Sequence, residues 1–125
     1  MRLDSTFVVI GPDQSVSPIA VTPTIYEELD KRFEGFRGRL LVATHRFDAD
    51  WPTWEMHPKG DEVVVLMSGS ARMVLDEAGS HRAVVLSTPG DFVVVPKATW
   101  HTAKISTPTT LLFVTPGEGT ENAVR

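Results

Sequence analysis

Trp54-Glu-Met-His-Pro-Lys-Gly-Asp-Glu-Val-Val-Val-Leu-Met-Ser-Gly69 is the stretch on which the reading of this chain turns. Side chains alternate across a strand, so Glu55 and His57 point to one face. Pro58 and Gly60 then reverse the chain, and Glu62 opens a strand whose Val64 and Leu66 share its face. A second reversal at Gly69 is expected to bring residues 71–75 back alongside. Glu55, His57 and Glu62 would then converge at one hairpin-like corner. Further on, Gly90-Asp-Phe-Val-Val-Val-Pro-Lys-Ala-Thr-Trp-His101 reads as a strand, a break at 96–99 and a new strand starting at His101. Two carboxylates and two imidazoles on one inner wall are a donor set for a divalent first-row metal.

The rest of the chain supports a β architecture around these segments. Sixteen Val and thirteen Thr stand against one Tyr, with nine Pro and nine Gly spread throughout. β-Branched residues with regular turn punctuation predict an all-β sandwich or barrel of eight to ten strands. Expected strands are 7–10, 18–21, 39–48, 53–57, 62–68, 71–75, 81–86, 92–95, 101–106 and 110–114. One stretch differs. Thr24-Ile-Tyr-Glu27 has the form of a capping box, Glu27 and Glu28 fill a first turn, and Lys31 and Arg32 fill a last one. Ile25, Leu29 and Phe33 then form one apolar stripe, predicting a short covering helix that Gly35 ends. Residues 116–125 are polar and are expected to fray as a flexible tail.

Composition excludes several function classes. At 125 residues the chain suits one domain, residues 1–125. It contains no Cys, so a disulfide scaffold, a Cys-ligated metal site and a cysteine nucleophile are ruled out. The net charge is −4, with 12 Lys and Arg scattered singly, which argues against a nucleic-acid partner. The apolar runs are too short for a membrane span or a signal sequence, and a cytoplasmic protein is expected.

The two site segments resemble the two motifs of the cupin superfamily. In the first motif a His-x-His pair is followed by a Glu and, seven residues after it, a Gly; here stand Glu55-Met-His57, Glu62 and Gly69. In the second, a Gly, a Pro, a Gly and a His follow at fixed spacing; here stand Gly90, Pro96, Ala98 and His101. The resemblance covers segments 54–69 and 90–105. It implies a double-stranded β-helix, or jelly-roll barrel, with a divalent first-row transition metal (Fe, Mn, Ni or Zn) held by Glu55, His57, Glu62 and His101. Glu55 stands where the motif has His, Ala98 where it has Gly, and Ile105 where it has Asn. With two carboxylates the centre is formally neutral, hence a weaker Lewis acid than a three-His, one-Glu centre. Ala98 is harmless unless its position needs a positive φ.

Two functional readings remain open on the sequence. One is a metal-dependent enzyme of dioxygenase or isomerase type acting on a small organic molecule, with catalytic residues unassigned. The other is a non-catalytic small-molecule-binding or sensory module with a structural or vestigial metal. His45 reads as core or mouth lining and His81 as solvent-facing, and Arg39 and Arg46 as surface charges. Trp54 and Trp100 alternate with inward residues. With the 7–10 strand and the helix they suggest an apolar homodimer surface, the alternative being that Trp51, Trp54 and Trp100 line a ligand pocket.

Overall fold

The computed structural model describes all residues, Met1–Arg125. Two antiparallel sheets face each other. The six-stranded sheet is ordered β2 (Val16–Ala20), β1 (Thr6–Ile10), β3 (Leu40–Phe47), β10 (Thr109–Thr115), β5 (Glu62–Ser68) and β8 (Phe92–Val95). The five-stranded sheet is ordered β11 (Glu121–Val124), β4 (Thr53–Met56), β9 (His101–Lys104), β6 (Ala71–Glu77) and β7 (Ser80–Leu86). Strict alternation in β5 buries Glu62, Val64 and Leu66 and turns Val63, Val65 and Met67 outward. The main core lies between the sheets, built on Val64, Leu66, Met73, Leu75, Leu86 and Leu111. No helix is long and apolar enough to cross a membrane.

The turns flanking β5 are corners between sheets. β4 and β6 lie in the sheet opposite β5, so residues 71–75 do not return beside it as expected. Gly69 makes the second corner possible. Its φ is 83°, and a Cβ there would sit 2.4 Å from the Pro108 carbonyl oxygen and 2.5 Å from Thr109 Oγ1. A side chain at this position would push the corner open.

The helix α1 spans Ile25–Arg32 and covers a second cluster formed by Phe7, Val9, Ile19, Leu41 and Ala43. Ile25 and Leu29 are buried as the stripe requires, and Gly35, at φ 68°, follows the helix. The capping box is not formed: Thr24 makes no side-chain cap bond. Instead Glu28 is bound by the Thr22 hydroxyl outside the helix, which anchors the same end differently.

The segment after Pro116, expected to be a frayed tail, is instead a strand. β11 pairs with β4 over four residues, from Glu121 opposite Met56 to Val124 opposite Thr53. Its side chains are all exposed, so no hydrophobic pattern announced it; backbone pairing holds it. The count is therefore eleven strands.

A candidate metal centre between the two sheets

The site draws on both sheets. In β4, Glu55 lies directly opposite His101 of β9, and His57 follows two residues later on the same face. Glu62, at the start of β5, closes the group from the opposite sheet. The turns carrying the two segments are tied together: Ala98 N–H donates to the His57 carbonyl at 2.9 Å, and Lys97 N–H to Asp61 Oδ1 at 2.7 Å. These two bonds fix the backbone of His57 against the segment that delivers His101. Ala98 does adopt a left-handed conformation, at φ 58°, so the Gly-to-Ala departure carries local strain.

Donor atoms of Glu55, His57 and His101 lie within 4.8 Å of one another. Glu62 approaches both imidazoles, with Oε2 3.2 Å from His57 Nε2 and Oε1 3.1 Å from His101 Nε2. Despite that proximity, both Nε2 atoms and Glu62 Oε1 are buried without a hydrogen-bond partner. The far side of each ring explains why these atoms are poised. His101 Nδ1–H donates to the Thr99 carbonyl at 3.0 Å. The Thr120 hydroxyl gives its proton to the Gly117 carbonyl at 3.0 Å, so its oxygen accepts from His57 Nδ1–H at 2.8 Å. With each Nδ1–H engaged, the tautomer these contacts favour for a neutral ring is the one that leaves a bare lone pair on Nε2. Thr115 Oγ1 donates to Glu62 Oε2 at 2.6 Å, orienting the carboxylate.

The electrostatics record the crowding. Burial pushes Glu55 up from its ordinary value, and the nearby Glu62 charge pushes it further. Burial also acts to raise Glu62, yet its contacts with His101 and then His57 override this and hold it at about 2. Burial acts to lower His101, but Glu62 more than compensates and its pKa is raised. Two carboxylates and two imidazoles with fixed lone pairs, out of water, suit a divalent cation. The orphaned buried Nε2 and Oε1 atoms fit the metal that the motif implies.

Above these residues opens a cavity of about 810 Å³, with Glu55, His57 and Glu62 in its lining. Phe47, Trp51 and Phe113 form an aromatic wall, and Trp51 also packs edge-on to His101 at 6.1 Å. Trp51 is buried, 6% exposed, in the wall of the cavity, where the pocket-lining alternative put it. Its loop position gave no periodic signal; its backbone N–H donates to the Ala103 carbonyl at 3.0 Å, which ties the loop to β9. Trp54 does face away from the lumen, half-buried against His81. In the 7–10 strand, β1 lies between β2 and β3 with Phe7 and Val9 buried, so only its outer face, which carries Val8, is open to a partner. Arg39 and Arg46 are outside the cavity, paired with Glu34 and Asp48.

The sequence reading missed a hydrogen-bonded pair in the cavity wall. Tyr26 Oη lies 2.7 Å from His45 Nε2, joining the helix to β3. Burial lowers His45 from its usual value; burial, then Glu55 and Glu62, push Tyr26 up to about 12. At ordinary pH this is a neutral phenol bonded to a neutral imidazole. Each residue falls in its predicted element; only the cross-element contact was not readable.

No family model matches the chain, and no curated protein does. Solved structures do. An oxalate oxidase superposes with a TM-score of 0.55 at 16% identity, over 65% of this chain and 44% of its own. A cupin-2 domain protein from Shewanella frigidimarina gives 0.52 at 18% identity, over 62% and 70%. The fold is that of a cupin. Oxalate decarboxylase from Bacillus subtilis, studied for its Mn(II) centres, gives 0.55 at 21% identity over 68% of this chain. The chain spans less than half of the oxidase and 23% of the decarboxylase. The two-sheet, jelly-roll arrangement expected from the motifs is therefore the one found.

Proposed function

We propose that this chain binds one divalent first-row transition metal through Glu55, His57, Glu62 and His101, and acts there on a small organic molecule. The reaction would be of dioxygenase or isomerase type. The observation that carries the reading is the pair of buried Nε2 atoms, bare of partners while both Nδ1 atoms are engaged. Such a metal supplies Lewis acidity and open positions for a ligand. The chain's own residues do the rest. Thr99, Thr115 and Thr120 orient the donors, the aromatic wall excludes water, and the Tyr26–His45 pair holds a proton at the phenol within the cavity. Neighbours of the fold include an oxidase, a decarboxylase and a hydroquinone 1,2-dioxygenase seen with Cd2+. Oxalate, named for two of them, is not carried over to this chain. The alternative, a binding or sensory module with the same metal, differs in having no turnover. Elemental analysis of protein purified without chelator tests the site: a first-row metal is expected, and His101→Ala should remove most of it. Unchanged content in that variant would refute the assignment.

We further propose a cytoplasmic homodimer, with its interface on the outer face of the six-stranded sheet. One row there runs Pro18, Val8, Val42, Val114, Val63, Val94 across all six strands. A second runs Thr44, Leu112, Val65, Phe92. Phe92 and Val94 are 60% and 45% exposed. Six strands span about 29 Å, so the face reaches the several hundred Å² beyond which apolar patches mark interaction sites. The face is its own complement under a two-fold axis, which favours a second copy. Light scattering should give twice the mass of one chain, 13.7 kDa, and Val65→Glu should halve it. A monomeric parent would refute this.

A further inference from the structure

The charge of the cavity wall bears on what enters it. Five carboxylates line the cavity, Glu27, Asp30, Asp50, Glu55 and Glu62, and no Lys or Arg does. Burial keeps His45, in the same wall, uncharged. If a divalent metal neutralises Glu55 and Glu62, three carboxylates remain; without it there are five. The wall is anionic either way. Glu27 and Asp30 are exposed and stand on the helix whose Tyr26 reaches the wall, so the charge is concentrated at the rim. Asp50 accepts the Ile105 N–H at 2.7 Å through one oxygen. Beneath the rim, Tyr26, Phe47, Trp51 and Phe113 present ring surface. At the base, His57 Nε2 and Glu62 Oε1 are buried and unpartnered. A carboxylate or phosphate entering this space would meet repulsion at the rim and no Lys or Arg, its one cationic contact being a metal already neutralised by Glu55 and Glu62. An ammonium would meet carboxylates at the rim and aromatic faces below.

We propose that the cavity is built for a small amine: an organic cation whose ammonium sits among Glu27, Asp30 and Asp50 and whose apolar body lies on the Phe47–Trp51–Phe113 wall. This deepens the proposed function, because it takes the cavity over the metal centre as the substrate site. Anionic substrates are disfavoured, and a neutral analogue should rank between the two.

Three isosteric probes test it: phenethylamine, 2-phenylethanol and phenylacetate, titrated into 15N-labelled protein while the Trp51 indole N–H signal is followed. Zinc-loaded and chelator-treated samples are compared, with zinc stoichiometry measured separately. The expected result is saturable phenethylamine binding at least about tenfold tighter than phenylacetate, a gap that narrows with added salt. Glu27→Gln combined with Asp30→Asn should weaken phenethylamine at least about threefold and leave 2-phenylethanol unchanged, as a screened charge interaction requires. Equal or tighter binding of phenylacetate, no binding of any probe, or an unaltered amine affinity in the double variant overturns the inference. Amine preference in protein that takes up no zinc would sink the metal assignment and leave this inference standing. Stoichiometric zinc with a preference for phenylacetate would do the reverse.

Discussion

Replacing Thr120 by Val tests the site through a residue outside the ligand set. The substitution keeps the shape of the side chain and deletes its hydroxyl. Two bonds go: the one that accepts His57 Nδ1–H at 2.8 Å and the one donated to the Gly117 carbonyl at 3.0 Å. The serious loss is the first, because His57 is 5% exposed and its Nδ1–H would be left without an acceptor. An unsatisfied buried donor costs roughly 1–3 kcal/mol. The ring can escape by moving its proton to Nε2, but that consumes the lone pair meant for the metal. Both routes weaken binding, and at about 1.4 kcal/mol per decade the expected loss is about 10- to 100-fold in affinity. Competition against a chromophoric zinc chelator at neutral pH measures it. Thr120→Ser should stay within about threefold of the parent, since the hydroxyl remains. Amide exchange at Asn122 and Ala123 serves as control, reporting whether β11 has stayed in place. If Thr120→Val binds zinc as tightly as the parent with β11 intact, the threonine does not set the His57 tautomer and the reasoning fails.

Other outcomes follow from the same geometry. Ala98→Gly should stabilise the chain: relief of a left-handed alanine is worth roughly 1–2 kcal/mol, offset by about 0.4–1 kcal/mol of glycine's unfolded-state freedom. Urea titration should therefore show a gain of about 0.5–1 kcal/mol at unchanged slope, and a loss would contradict the strain at φ 58°. Gly69→Ala should do the opposite, by several kcal/mol, because φ 83° and a backbone oxygen 2.4 Å from the new Cβ act together; wild-type stability there would refute the packing of the corner. Stability of metal-stripped protein should peak between about pH 4.5 and 6.5, since Glu55, raised from 4.5, adds a loss as pH climbs above 4.5. His101 is raised from 6.5, so its contribution is complete below 6.5 and is lost as pH rises through the raised value. Glu62 is held at about 2, so its contribution is complete above 4.5 and is lost as pH falls toward 2, while lowered His45 adds loss below 6.5. Metal affinity should rise with pH over the range where the stripped protein weakens, since the ligating imidazoles must be neutral; parallel trends would contradict the ion contacts at Glu62.

What the sequence displayed was whatever a strand's two-residue period controls. Glu55 with His57, and Glu62 with Val64 and Leu66, read correctly because alternation fixes their faces. Apolar spacing likewise placed Ile25 and Leu29 on the buried side of α1. Failures came where geometry depends on distant parts of the chain. The Gly69 turn has the composition of any hairpin, and only its packing on Pro108 makes it a corner. Thr24 and Glu27 have capping-box spacing, but Thr24 sits at φ −112°, ψ 23°, outside the extended region from which an N-cap side chain reaches the helix N–H groups. Glu121-Asn-Ala-Val124 carries no apolar rhythm, since both its faces meet water and only the edge of β4 defines it. The four candidate donors were therefore visible, whereas the threonines bonded to three of them and the Tyr26–His45 contact were not.

β11 also bears on how fast the proposed centre would exchange a bound metal. Its four side chains are all exposed, and it touches the sheet only along β4, so it is a unit able to open without the core. Thr120, which precedes it directly, is the partner of His57 Nδ1 that would keep the ring in the tautomer a metal needs. Each opening of that edge would release the outer side of His57 while Glu62 and His101 stay held by the core sheets. Escape of a bound ion would then follow the opening rate of one peripheral strand, and lifetime and affinity would become separately adjustable. Substitutions that tighten β11 on β4 should lengthen residence without altering the donors, and those that loosen it should speed turnover of the ion while the fold around it remains closed.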